Sequence, residues 1–145
     1  MKMKIWFDMD GTIADLYGVE NWLPMLIAGD PKPYAEAKPL LNMSLLARYL
    51  NQLLAQGHEV GVISWLAKNS NSDYDEKVKA AKLAWLNKHL NSVNFTSIHI
   101  VAYGTNKLNV CGEGILFDDE LNNREVWGEG AHEPAEIFNI LQGLI

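Results

Sequence analysis

The stretch 4–13, KIWFDMDGTI, limits the possible folds more than any other part of the chain. Ile5, Trp6 and Phe7 form a short unbroken apolar run, the pattern of a parallel strand buried on both faces. The run stops at two carboxylates, Asp8 and Asp10, one residue apart. Gly11 and Thr12 then supply a turn signal where the strand should end. Parallel sheets bind ligands at the carboxyl ends of their strands, so two acids stand where chemistry is expected. The plain alternative is a strand end with two solvated acids and an ordinary Asp-Gly turn.

Crowded carboxylates raise one another's pKa unless a cation neutralises them. An all-oxygen donor set suits a hard cation, Mg2+ foremost. The net charge of −6 opposes a long nucleic-acid polymer as partner, because a polymer needs a basic stripe. A nucleotide monomer needs only local positive charge and a metal, so it stays open. The single cysteine, Cys111, rules out an intrachain disulfide and a cysteine-based zinc site. No apolar run reaches transmembrane length, so no membrane partner is expected. MKMKIWF lacks a long apolar core and reads as a strand rather than a signal peptide, which makes a cytoplasmic protein the expectation.

At 145 residues the chain fits one domain, 1–145, with a full-sized core. After the first strand, residues 13–39 are irregular and rich in Gly and Pro. They read as a minimal cap or lid insert with one short helix near 20–28. Leu45, Leu46, Tyr49, Leu50, Leu53 and Leu54 predict a helix over 42–56, capped by Asn42 or Ser44 and ended by Gly57. A second strand is predicted at 59–64, a polar loop at 68–75 and a long helix at 75–90. On that helix Lys77, Lys79, Lys82 and Lys88 read mostly as a solvated face. Strands at 97–103 and 114–117 follow, then a short helix at 122–126 and a last helix at 133–142, with Pro134 in its first turn. The alternation predicts an α/β fold: a three-layer, doubly wound, mostly parallel sheet with helices on both faces.

Each predicted strand delivers polar groups at the same edge. The first offers Asp8 and Asp10, the second Ser64, the turn after the third Lys107, and the fourth Asp118 and Asp119. Phosphoryl transfer suits this set, since it needs positioning and charge neutralisation above all. Carboxylates from both ends of the chain can hold Mg2+, while Lys107 and Ser64 meet phosphate oxygens. One acid of the first pair can attack phosphorus, and the other can carry the proton. Gly11 and Thr12 in the turn join the phosphate-binding candidates. Trp65, Tyr17 and Trp22 are candidates for touching substrate, each also able to serve as core packing.

These motifs resemble those of the haloacid dehalogenase superfamily of phosphohydrolases. DMDGT at 8–12 is similar to its first motif, Ser64 in ISW to its second, Lys107 in GTNKLNV to its third, and GILFDDE at 114–120 to its fourth. The resemblance implies that Asp8 is the nucleophile and Asp10 the general acid/base, with its carbonyl on the metal. It implies that Ser64 and Lys107 bind the phosphoryl group, and that Asp118 and Asp119 complete the Mg2+ site. Lys82 is the rival for the third motif. A second carboxylate two residues after the first favours phosphate-ester hydrolysis over dehalogenation. DMDGTIAD, the helix KLAWLNKHL and the LFDDE end resemble the 5′(3′)-deoxyribonucleotidase branch, although Ser64 replaces a usual Thr and the insert is short. The implied partner is a small phosphorylated metabolite, with a nucleotide as one option. A catalytically idle binding protein on the same fold is the second reading. A phospho-acceptor receiver domain is the third, opposed by Tyr103-Gly104-Thr105, which puts no acid after the third strand.

Overall fold

The computed structural model describes residues 2–145; Met1, the first residue of the expected 1–145 domain, lies outside them. In chain order the elements are β1 (Lys4–Phe7), β2 (Ala14–Asp15), α1 (Trp22–Ile27), α2 (Lys32–Glu36), β3 (Lys38–Pro39), α3 (Met43–Ala55), β4 (Glu59–Trp65), α4 (Ser72–His89), β5 (Ser97–Val101), α5 (Lys107–Cys111), β6 (Ile115–Phe117), α6 (Leu121–Trp127), β7 (Ala131–His132) and α7 (Ile137–Leu144). Single turns of 3-10 helix lie at Leu16–Gly18 and Pro134–Glu136.

Five strands form one sheet in the order β5-β4-β1-β6-β7, and every pairing in it is parallel. The doubly wound α/β architecture read from the sequence is thus the one observed. The chain runs outward from β1 through β4 to β5, then returns to the other side of β1 with β6. The direction of winding reverses between β1 and β6, the position where such sheets open a crevice. The strand at 114–117 is one residue shorter than predicted, and β7 was missed. At two residues, β7 carries no apolar run to reveal it.

Alternation along the strands builds the two faces. Ile5 and Phe7 point to one side with Val60, Val62, Ile115 and Phe117, where Leu46, Leu50 and Leu53 of α3, Trp85 and Leu86 of α4, and Ile137 and Leu141 of α7 cover them. Trp6 points to the other side, with Ile63 and Leu116, under Cys111 of α5 and Trp127 of α6. Trp6 pairs in register with Gly61, and a Cβ at Gly61 would run into the Trp6 indole. The glycine therefore makes room for the largest side chain of the central strand.

Two helices show their sequence logic at the ends. Asn42 caps α3 by accepting from the Leu45 amide at 3.1 Å. Asn71 caps α4 by accepting from the Tyr74 amide at 2.9 Å. Asp73 and Asp75 then occupy the first turn of α4 and Lys88 and His89 the last, each sign matching the helix dipole. The N-cap at Asn71 starts α4 at Ser72, so the end of the predicted 68–75 loop is helical. No helix among the described residues is long and apolar enough to cross a membrane.

Between β1 and α3 the chain makes an excursion. β2 and β3 pair antiparallel, Ala14 with Pro39 and Asp15 with Lys38, and close its stem. Above them Leu16 and Tyr34 pack with Tyr74 and Val78 of α4 in a third apolar cluster. The Tyr74 hydroxyl donates to Asp30 O at 3.0 Å, and Trp85 Nε1 donates to Ala37 O at 2.7 Å. The excursion is thereby fastened to α4 at two points.

Candidate active site

Asp8 follows β1 and Asp118 follows β6, its neighbour in the sheet. The two ends are stitched together: Asp8 N donates to Phe117 O at 3.0 Å, and Asp118 N donates to His132 O at 3.1 Å. Lys107, the first residue of α5, reaches between the acids. Its Nζ lies 2.9 Å from Asp8 Oδ1 and 2.7 Å from Asp118 Oδ2. All three side chains are buried. Burial works against the lysine's charge, but Asp8 and Asp118 outweigh it and hold Lys107 above the ordinary lysine range.

Thr12 and Asn123 brace this cluster. Thr12 Oγ1 donates to Asp8 Oδ2 at 2.8 Å and accepts from Asp119 N at 3.2 Å. Thr12 is fully buried and lies behind the acids, away from the cavity lining. Asn123 Nδ2 donates to Asp118 Oδ2 at 3.2 Å, while Asp118 Oδ1 accepts from Glu120 N at 3.0 Å. Gly11 has φ +81, and a Cβ there would collide with the Asp119 carboxylate. The glycine therefore serves as much to admit Asp119 as to make the turn.

Asp8, Asp118 and Asp119 each offer a carboxylate oxygen, all within 4.8 Å of one another. Three clustered hard oxygens fit a cation of the Mg2+ kind. Burial, then the charge of Asp8, pushes Asp119 up to about 8 and Asp118 up to about 6. Such acids give up protons readily to a divalent ion. The Asp10 carboxylate stands outside the group. Burial raises its pKa, and the charge of Lys82 works in the opposite direction.

Lys82 corrects the sequence reading most sharply. The sequence places it mostly on a solvated face, with a second reading as the rival for the third motif, yet it is 1% exposed. Its Nζ donates to Asp10 Oδ2 at 2.8 Å, to Ser64 Oγ at 2.7 Å and to Trp65 O at 2.7 Å. It also sits 5.0 Å from the centroid of the Tyr34 ring. A signal for it existed: Lys82 falls four residues after Val78 and three before Trp85, on the buried stripe of α4. Ser64, in β4, is fully buried and has Lys82 as its hydrogen-bond partner. Neither Ser64 nor Lys82 lines the cavity.

A cavity of about 570 Å³ opens over the acids, with Asp8, Asp10, Lys107, Asp118 and Asp119 on its floor. Its walls are aromatic: Tyr17, Trp22, Tyr34, Trp65, Tyr74 and Tyr103 all line it. Tyr17 meets Trp22 edge to face, with ring centroids 5.0 Å apart, and Trp65 meets Tyr103 at 4.9 Å. Trp65 is held by its Nε1 donating to Thr105 O at 2.9 Å. The three substrate-contact candidates, Trp65, Tyr17 and Trp22, are thus brought to one chamber. Tyr34, Tyr74 and Tyr103 join them without any sequence signal, since they come from α2, α4 and the β5–α5 loop and meet only through packing.

No family model and no curated protein matches the chain. Among solved structures, the D,D-heptose 1,7-bisphosphate phosphatase from Burkholderia thailandensis superposes with a TM-score of 0.54 at 14% identity, covering 97% of this chain and 99% of that one. A structural-genomics target from Vibrio cholerae superposes with a TM-score of 0.46 at 18% identity, covering the whole of both chains. At its 14% identity the first likeness is one of fold: a doubly wound α/β sheet carrying, in this chain, a triad of acids at the switch point.

Proposed function

We propose that this chain is a phosphomonoesterase of the haloacid dehalogenase type, transferring a phosphoryl group first to Asp8 and then to water. The observation that carries the reading is Lys107 Nζ lodged between Asp8 and Asp118, 2.9 and 2.7 Å from their oxygens, on the floor of a cavity. Asp8, Asp118 and Asp119 are the residues that would hold Mg2+, which supplies charge neutralisation for the phosphoryl oxygens. The likeness of fold to a sugar bisphosphate phosphatase and the order of the four motifs support the same assignment.

In the first step a carboxylate oxygen of Asp8 attacks phosphorus and the ester P–O bond breaks. The departing alkoxide takes a proton from Asp10. In the second step Asp10 takes a proton from water as the water oxygen attacks phosphorus. The bond from phosphorus to Asp8 opens, and inorganic phosphate leaves. Lys107 holds Asp8 in place and meets the charge that gathers on the transferring group. The segment 13–39 acts as a small cap that walls the chamber.

The aromatic walls support a nucleoside monophosphate as the substrate class, since stacking contributes about 1–3 kcal/mol per base. Lys68 and Lys107 are the cavity's lysines, a thin supply for a second phosphate. Phosphate release is measured from nucleoside monophosphates, sugar phosphates and p-nitrophenyl phosphate, with Mg2+ and with EDTA. The expected result is metal-dependent release, fastest on nucleotides and abolished by Asp8→Asn. Full turnover by Asp8→Asn rules out the covalent route, and a flat panel favours an idle binding protein.

A further inference from the structure

Lys107 serves the acids that would hold the metal, but a second buried lysine serves Asp10, and the chemistry above has not used it. We propose that Lys82 is a positioning residue that holds Asp10 for proton transfer. This role rests on the phosphatase reading of the same site.

An ammonium group has three donors. On Lys82 all three are committed, to Asp10 Oδ2 at 2.8 Å, Ser64 Oγ at 2.7 Å and Trp65 O at 2.7 Å. Nothing is left over for substrate, so Lys82 acts through its neighbours. The contact to Asp10 takes one carboxylate oxygen. Among the described residues Oδ1 has no protein partner, and Asp10 lines the cavity. A carboxylate tethered by one oxygen presents the other in a fixed direction, which a proton carrier within hydrogen-bond reach requires. The contact to Ser64, which is fully buried, anchors the ammonium at the end of β4.

The third contact joins two strands. Ser64 and Trp65 end β4, and Asp10 follows β1, its neighbour in the sheet. Lys82 therefore ties together two strand ends that both border the chamber. It does so from α4, the helix to which the excursion is fastened through Asp30 and Ala37. The two lysines divide the floor between them. Lys107 lies on the side where the nucleophile sits, and Lys82 on the side from which the leaving oxygen must be protonated.

The test exploits leaving groups. An alkyl phosphate needs a proton delivered to its departing oxygen, whereas p-nitrophenolate leaves without one. Lys82→Met is compared with wild type on the panel's best alkyl ester and on p-nitrophenyl phosphate. A kcat/KM loss of about a hundredfold or more on the alkyl ester, with less than about tenfold on the aryl ester, is expected, since kcat/KM reports the phosphoryl-transfer step and not the hydrolysis both esters share. Asp10→Asn should show the same selectivity, and the double variant should add little. Equal losses of kcat/KM on both esters, or no loss on either, overturn the role while leaving the phosphatase reading intact. A wild type inactive on both esters overturns that reading and this role with it. Circular dichroism checks the fold. If Lys82→Met does not fold, Lys82→Gln carries the comparison, and failure of both to fold makes Lys82 a folding residue and refutes the proposal.

Discussion

Lys107 Nζ stands 2.9 Å from Asp8 Oδ1 across 99 residues of sequence. The same nitrogen is 2.7 Å from Asp118 Oδ2, so one buried cation compensates two buried acids. Breaking a buried pair leaves its partner uncompensated and costs about 3–5 kcal/mol. Lys107→Met is therefore expected to lose about 3 kcal/mol in urea denaturation near neutral pH. The loss should shrink near pH 5, where Asp118, lifted to about 6, takes up a proton instead. Equal loss at both pH values would show that charge compensation is not what the lysine provides.

A second prediction follows from the acids themselves. Burial, with Asp8 close by, lifts Asp119 to about 8 and Asp118 to about 6, against about 3.9 for an unfolded aspartate. The metal-free folded chain therefore binds protons that the unfolded chain does not. That contribution to stability is complete below about pH 4 and is lost as pH rises through about 8. Mg2+ competes for the same oxygens, so its stabilising effect should grow across that window. Thermal melts in EDTA and in MgCl2 from about pH 5 to 8.5 check it. A Mg2+ increment in Tm that is flat with pH contradicts the assignment of these acids to the ion.

Gly11 gives a third. At φ +81 an alanine is strained, and its Cβ meets the Asp119 carboxylate. Gly29, at φ +78, has open space where a Cβ would stand. Both Gly11→Ala and Gly29→Ala should lose about 1 kcal/mol or more from the backbone. Only Gly11→Ala should also blunt the rise in Tm with Mg2+. Loss of the Mg2+ response in both variants would place the effect in the backbone rather than at Asp119.

The walls give a fourth. Trp22 lines the chamber and packs against Tyr17. If it touches a base, Trp22→Ala should raise KM for a nucleoside monophosphate by about tenfold, within the range stacking supplies. KM for glycerol phosphate should hardly move. Steady-state kinetics on both esters decide it, and parallel shifts in both would make Trp22 a packing residue.

The acids were legible because their signals are local. A strand that ends in Asp8-Met9-Asp10 and another that ends in Asp118-Asp119 announce themselves within a few residues, and a parallel sheet brings such ends to one edge. The α/β alternation was legible for the same reason: apolar runs and stripes such as Leu46, Leu50 and Leu53 are properties of short windows. Lys82 was legible only as a rival for the third motif, although it sits on the Val78–Trp85 stripe. Which face of α4 meets the sheet is decided by packing, and a lysine is assigned to water unless a buried acid is known to await it. Thr12 was read as a phosphate ligand because the motif is compact, whereas its hydroxyl is spent on Asp8 and Asp119. Tyr34, Tyr74 and Tyr103 reach the chamber from three separate segments, an arrangement no window of sequence can express.

The placement of β1 has a consequence for how the molecule comes into being. It is the earliest of the sheet's strands in chain order and the middle one in space. One of its edges is satisfied when β4 emerges, but the other stays bare until Ile5 can meet Ile115, after α4 and β5 have also been made. Contacts so distant are slow to close, and an unpaired central edge is open to wrong partners meanwhile. Because that closure also carries Asp118 to Asp8, a nascent chain cannot hold the acidic cluster before Asp118 and Asp119 have been made.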